Sequence, residues 1–404
     1  MGFGYGRCMT FDPTAPLPGP PEPWASTSQP AWRDGPPYHM TEMIAAEPAV
    51  ARRIVERLAD PASAAGRLAG AVGQAASAGE PIVVTGCGTS EHAALAIVEI
   101  LRDAIRAAGM HGGPTSIVAA QALELALDPP TGGLVIGVSH EGGTAATNRA
   151  LAASAAAGAQ TGLITATAAS PAGQLAEIVV ETVEIDQSWC HTVGYLSPIV
   201  AGAAVGAHLA SQPLDADAIG DLIAAGTGDA DAAEAIAGRL ADARTILVIG
   251  SGADRPAARE LVLKIEEATW LPSAMRDLET FLHGHLPAAD DTTGLIIILA
   301  DRAARDERLL RARQLLTGVR VLGVRAAAIL ARDAADELDE SLMPAGRILV
   351  DEASELPSPV AALVGTAAPL QLLTERLARA RGTNPDPIRR DDDRYREASE
   401  AAES

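Results

Sequence analysis

The chain repeats itself. Arg244 to Gly250 (RTILVIG) follows the plan of Pro81 to Gly86 (PIVVTG), and the SGADRPAARELVLKIEEA that comes next echoes CGTSEHAALAIVEILRDA in both turn and helix. Each copy is an apolar run of strand length, a glycine-bearing turn and a segment with apolar residues at helical spacing. Leu295–Leu299 and Val319–Val324 then stand where Leu134–Val138 and Thr161–Ala166 stand in the first copy. A repeat of this size confines the chain to two copies of one α/β unit. Its 404 residues are too many for one small core and enough for two.

Within the first copy, strand and helix alternate. Pro81–Thr85 reads as a strand, His92–Ala108 as a helix, and Thr115–Ala119 as a short strand before a helix over Ala120–Leu127. Leu134–Val138 reads as a buried strand before a helix over Ala145–Ala157; strands at Thr161–Ala166 and Ile178–Ile185 follow, and a helix over Thr192–Ala210 closes the unit. The succession predicts an α/β fold of two tandem doubly wound units, each a parallel sheet with helices on both faces. The boundaries expected are a Pro/Gly-rich tail at 1–39, lead-in helices at 40–79, a first unit at 80–211, an Asp/Ala/Gly linker at 212–231, a second unit at 232–384 and a C-terminal tail at 385–404. Nine prolines between Pro13 and Pro37, with no hydrophobic period, make the first 39 residues a disordered tail. The alternative is a natural start at Met40, where MTEMIAAEPAVARRIVERL opens an amphipathic helix.

A net charge of −21 disfavours nucleic acid and anionic membrane surfaces, which would be repelled over most of the molecule, and leaves a small molecule as partner. Cys8, Cys87 and Cys190 are widely spaced and odd in number, so the expectation is a reducing cytoplasm with neither a disulfide framework nor a zinc site. No run reaches the ~18 uninterrupted apolar residues of a membrane span, and the start lacks the basic-then-apolar order of a secretory signal. Of 31 basic residues only one is a lysine, Lys264.

Two turns concentrate small polar residues at strand ends. Leu134–Thr144 (LVIGVSHEGGT) supplies hydroxyls and flexible backbone where a helix begins, and the free N–H groups of a helix start suit an anion such as phosphate. Gly86–Ser90 (GCGTS) is the second such turn, and it lacks the third glycine of a dinucleotide fingerprint, Glu91 standing in that place. Residues of these types also end strands and cap helices; two such turns opening from central strands favour a ligand. Lys264 and Glu267 lie three apart on one helix and project from nearly one face, as a surface ion pair or as an acid–base pair. His283 and His285 lack a carboxylate at a recognised ligand spacing, so no metal is expected.

In order along the chain, the two repeats, GCGTS at Gly86–Ser90, an S-x-x-G-x-T loop at Ser139–Thr144, LHG at Leu282–Gly284 and GTNPD near the end resemble the sugar isomerase (SIS) domain family. The likeness is to the isomerase half of the glutamine–fructose-6-phosphate aminotransferases, over roughly Met40 to Pro387. The resemblance implies that Gly88, Thr89 and Ser90, with Ser139, His140, Glu141 and Thr144, surround a substrate phosphate, and that His191 and Thr192 lie beside the sugar. It implies Glu267 as the base that shuttles a proton between C1 and C2, Lys264 as an assisting cation and His283 as the group that opens the ring. It also implies a homodimer, with His283 completing a neighbour's site, and no cofactor. Aldose–ketose interconversion needs such a base, acid and ring-opener, each contributing about 10²–10⁴-fold.

Three departures qualify the likeness. Glu141 replaces the family's serine, and a carboxylate ~5 Å from a phosphate dianion costs roughly 2 to 6 kcal/mol, which opens the way to an unphosphorylated or amino-bearing sugar. The chain opens Met1-Gly2 rather than with a cysteine nucleophile, so free glutamine is not expected as its nitrogen source. No lysine follows Lys264, which removes the tail imine of the aminotransferases; Arg389, Arg390, Arg394 and Arg396 either clamp an anion or pair with Asp391–Asp393 at the surface. The expectation is an isomerase or amino-sugar deaminase, against two rivals: a non-catalytic sugar-phosphate sensor, and a glucosamine-6-phosphate-forming enzyme that uses free ammonia. A DNA-binding regulator would need a basic helix-turn-helix, which the proline-rich start does not offer.

Overall fold

The computed structural model describes residues 11–26, 32–110 and 117–403. Helices α1 (His39–Leu58) and α2 (Ala64–Ala78) precede β1 (Ile82–Gly86), α3 (Thr89–Ala107), β2 (Ile117–Gln121), α4 (Ala122–Leu127), β3 (Leu134–Val138), α5 (Ala145–Ala156), β4 (Gln160–Thr165), β5 (Ile178–Glu181) and α6 (Val193–Ala210). Helices α7 (Ala216–Thr227) and α8 (Ala230–Leu240) precede β6 (Thr245–Ile249), α9 (Asp254–Thr269), β7 (Ser273–Arg276), α10 (Leu278–Thr280) and β8 (Thr293–Leu299). Then come α11 (Arg305–Val321), β9 (Arg325–Ala331), α12 (Arg332–Ala335), β10 (Gly346–Val350), α13 (Ser358–Arg381) and α14 (Asp393–Glu403).

Two five-stranded parallel sheets result, ordered β2-β1-β3-β4-β5 and β10-β9-β8-β6-β7. The second is the first in the same winding, with β6 in the place of β1 and β8 in the place of β3, so the repeat and the α/β class are both realised. In each sheet the winding reverses between the first strand and the third, and the crevice at the carboxyl ends of those two strands is where such sheets take ligands. Ile82 pairs with Leu134 in register, which brings the ends of β1 and β3, and hence the Gly86 and Ser139 turns, side by side. One hydrophobic core runs through both units, joining Ile97 of α3 and Tyr195 of α6 to Leu261 of α9 and Leu370 of α13. Helix α6 is long and apolar enough by composition to cross a membrane, and 83% of it is buried inside the protein.

Three expectations fail here. Residues 11–26 are not a loose tail: Leu17 is buried, its N–H donates to Glu184 Oε2 at 2.8 Å, and the Ile185 N–H donates to Pro18 O at 2.9 Å. Arg53 reaches Thr14 O at 3.0 Å. These anchors are long-range and leave no periodicity in a proline-rich segment; the rest of the expected disorder, at 1–10 and 27–31, lies outside the described residues, as does Cys8. The linker at 212–231 contains α7, capped by Asp215, whose side chain accepts the N–H groups of Asp217 and Ala218. Ile219, Leu222 and Ile223 bury its inner face, at helical spacing that the small residues between them disguise. Val319–Val324 is not a strand. Leu309, Ala312, Leu315, Leu316 and Val319 are the buried stripe of α11, which ends before Gly323 (φ 73°). The strand is the alanine-rich RAAAILA of β9, whose helix propensity is overridden by its place between β8 and β10.

Candidate active site

Gly88 (φ 56°, ψ −127°) turns the chain out of β1, so α3 starts at Thr89, three residues before the expected His92. Thr89 and Ser90 thereby fall in its first turn, and the Thr89 hydroxyl donates to Glu260 Oε1 of α9 at 3.2 Å. His92, one turn on, places Nδ1 2.7 Å from Glu260 Oε2. The first turn of the N-terminal unit is therefore joined to the second unit through one buried carboxylate.

Lys264, with no exposed surface, sets Nζ 2.6 Å from Glu267 Oε2 and 3.6 Å from Glu260 Oε1. Burial works against its charge, but the two carboxylates outweigh it and hold the amine well above its usual range. Burial pushes the Glu260 carboxyl up, and the Lys264 charge and the His92 hydrogen bond more than offset that, leaving it below its ordinary value. Glu267 keeps 22% of its side chain exposed and borders an open cleft of about 380 Å³ with Trp270, Ile388, Arg389 and Tyr395. The pair is thus neither the solvated ion pair nor wholly enclosed: the lysine is inside and the carboxylate looks out.

In the second turn, Ser139 is buried and its Oγ lies 3.5 Å from Thr144 Oγ1. Gly142 (φ 76°) has no room for a side chain, since a Cβ would stand 2.1 Å from Ser170 Oγ. Trp24 lies on this loop: its indole N–H donates to Glu141 O at 3.0 Å, and its ring stands 3.2 Å from where a Gly143 Cβ would be. A residue of the supposed tail therefore covers part of the turn expected to hold phosphate.

His140 faces inward. Its Nε2 accepts the Asp186 N–H at 2.9 Å, which assigns the proton of a neutral ring to Nδ1, an atom buried without a hydrogen-bond partner among the described residues. Burial and the neighbouring His191 hold this imidazole down at about 4. Asp186 accepts the N–H groups of Ser188, Thr192 and Gly194 and lies 3.8 Å from His191 Nδ1. Burial alone would raise its carboxyl; the two imidazoles and these N–H groups bring it to about 2. For His191 burial pulls downward and the Asp186 carboxylate prevails, so the ring titrates above its usual value. The charges of Lys264 and Glu267 also reach His191 and the buried thiol of Cys190. Thr192 is buried, its Oγ1 unpartnered among the described residues. Asp186, which the motif reading missed, organises this corner; its signal in the sequence is only a carboxylate ahead of a helix start.

His283 stands apart. The helix begun by α10 breaks at His283 (φ −106°, ψ 52°) and Gly284 (φ 126°), and His283 Nε2 lies 2.7 Å from Glu279 Oε1 with 67% of its side chain exposed. Glu279 is also gripped by Arg311, and His283 does not line the Glu267 cleft. In the second unit, the crevice that corresponds to the Gly86 turn is filled from within. Arg308 pairs with Asp301 there, a Cβ at Gly252 would meet the Arg308 guanidinium at 2.0 Å, and Asp254 accepts the N–H of Ala300 at 3.0 Å.

Residues 239–329 match the SIS domain family model. That stretch is an SIS domain. The glutamine–fructose-6-phosphate aminotransferase (isomerizing) of Gloeobacter violaceus is 28% identical to the chain over 327 residues, which cover 77% of the chain and 51% of that relative. The chain thus spans about half the length of the curated relative. Among solved structures, the C-terminal domain of glucosamine-fructose-6-phosphate aminotransferase from Francisella tularensis superposes with a TM-score of 0.73 at 19% identity, covering 88% of this chain and 99% of that one. The tagatose-6-phosphate ketose/aldose isomerase from Escherichia coli superposes with a TM-score of 0.69 at 20% identity, covering 90% and 98%. At these identities the two structures establish a shared fold. The fold brings together Thr89, Lys264 and Glu267 around Glu260, and separately His140, His191 and Thr192, and leaves His283 on the surface of its own chain.

Proposed function

We propose that this SIS-domain protein is an isomerase or deaminase of a sugar phosphate or amino-sugar phosphate, acting by proton transfer between C1 and C2. The observation that carries the reading is the Lys264–Glu267 pair: a carboxylate open to a cleft, braced from beneath by an ammonium that cannot leave. Glu267 is the C1/C2 base. Lys264, buried and held charged, is neither an imine nucleophile nor a base; it assists as a cation from beneath, its 2.6 Å contact fixing the Glu267 carboxylate in place. His283 is the ring-opening group and acts from a second copy in a cytoplasmic homodimer, since in its own chain it does not border the Glu267 cleft. The names of the relatives, an isomerizing aminotransferase and a ketose/aldose isomerase, support the same reaction class. No cofactor, metal or nucleic acid enters it.

The test is incubation with fructose 6-phosphate plus ammonia, glucosamine 6-phosphate and their unphosphorylated counterparts, following product by mass. Turnover of one of these, lost in Glu267→Gln with binding retained, is the expected result. Binding by the unmodified protein with no conversion of any would make it a sensor.

A further inference from the structure

We propose that the C-terminal tail carries an oxyanion site: Arg389, flanked by Trp270 and Tyr395 on the rim of the Glu267 cleft, binds the phosphate or carboxylate of the substrate. That the ligand is a sugar rests on the function proposed above; the oxyanion site itself rests on the tail.

The guanidinium carbon of Arg389 lies 4.4 Å from the Trp270 ring centroid and 3.7 Å from that of Tyr395. A guanidinium held against aromatic rings by cation–π contact spends none of its N–H groups on them, and its fork of N–H groups matches the two oxygens of a carboxylate or phosphate. Among the described residues no carboxylate comes within ion-pair distance of it, whereas Arg394 and Arg396 are paired with Asp392 and Asp393 at 2.9 and 2.6 Å. The tail arginines therefore divide: two serve the surface pairing expected of them, and Arg389 does not.

The backbone is committed to this placement. Ile388 (φ 41°) and Arg389 (φ 67°) both adopt the left-handed region, uncommon for any side chain and most of all for a β-branched one. Two residues earlier, Asp386 anchors the tail by accepting the N–H groups of His39 and Met40 and the Ser188 hydroxyl.

Electrostatics gives the site its purpose. Glu266 and Glu267 both face the cleft, so an anionic substrate entering it is repelled unless a cation compensates. Lys264 is buried and shared between two carboxylates. Arg255 and Arg259 of the neighbouring cleft are paired with Asp277 and Glu91. The Ser139 loop carries Glu141 and is partly covered by Trp24. Arg389 is the cation that borders the same space as Glu267.

Calorimetric titration with inorganic phosphate, fructose 6-phosphate, gluconate and fructose tests this on the full chain. In Arg389→Gln, affinity for the anions that the unmodified protein binds should fall roughly tenfold or more, with fructose unchanged. Arg389→Lys, which keeps the charge without the fork, should fall between the two. Arg396→Gln, a tail arginine already paired with Asp393, should stay within about twofold of the unmodified protein. Preference for fructose 6-phosphate over gluconate identifies the anion as phosphate, and the reverse identifies a sugar acid. The site is overturned if both Arg389 variants bind as the unmodified protein does, if Arg396→Gln carries an equal loss, or if no anion binds. Binding through Arg389 without turnover would instead sink the isomerase reading and leave the oxyanion site standing.

Discussion

His92 on α3 and Glu260 on α9 meet across the boundary between the two units, Nδ1 to Oε2 at 2.7 Å, and the Thr89 hydroxyl closes on the same carboxylate. Glu260 is fully buried and also faces Lys264, so removing it strands a buried ammonium. Glu260→Ala should cost about 3 to 5 kcal/mol of stability in urea denaturation. Because its folded carboxyl lies below the ordinary value, its contribution is complete above the unfolded pKa near 4.3 and disappears as pH falls through the folded one. The gap between the unmodified protein and the variant should close toward acid pH, and a gap independent of pH would contradict the pairing.

Asp254 works in the opposite direction. Burial and the adjacent Asp301 raise its carboxyl to about 7. A raised acid stabilises the fold fully below its unfolded pKa near 3.9 and progressively less as pH rises to the folded value. Asp254→Asn keeps an acceptor for the Ala300 and Asp301 N–H groups without the titration. Relative to the unmodified protein it should gain roughly 3 to 4 kcal/mol between pH 4 and 7. Parallel stability profiles for the two proteins would refute the assignment.

The two histidines beside Asp186 should titrate far apart. Nitrogen NMR is expected to show His191 protonating above the usual imidazole range and His140 staying neutral down to about 4. Asp186→Asn removes the carboxylate 3.8 Å from His191 and should lower the His191 midpoint. If that midpoint does not move, the carboxylate does not govern the ring.

Trp24→Ala should release the N-terminal segment from the Ser139 loop, because the indole supplies both the hydrogen bond to Glu141 O and the contact over Gly143. Limited proteolysis should then cut within residues 11–26 well before the α/β units, at a stability cost of about 1 to 2 kcal/mol. Equal resistance in the two proteins would show that Leu17 and Glu184 hold the segment by themselves.

The repeat at Pro81 and Arg244, the strand at Leu134–Val138 and the sharing of one helix face by Lys264 and Glu267 were legible in the chain, because each is a local pattern of period two or three to four. Helix α7 and strand β9 were not: alanine carries little hydrophobic contrast, and in both segments the neighbours decided the conformation. Nor was the role of Asp186, whose partners are backbone N–H groups and two rings that no spacing rule connects.

What the sequence by itself determined is the doubly wound plan and the chemical inventory: hydroxyl-bearing turns, a single lysine with a carboxylate one turn along, and a tail of arginines without a lysine. Tertiary structure alone decided how that inventory is grouped. It buried Lys264 between two acids, joined Thr89 to the second unit, laid Trp24 over the Ser139 loop, set Arg389 beside Glu267 and left His283 outside. The division follows from range: periodicity reports which face a residue takes within its own element, whereas charge, desolvation and stacking act between elements that meet only when the chain has folded.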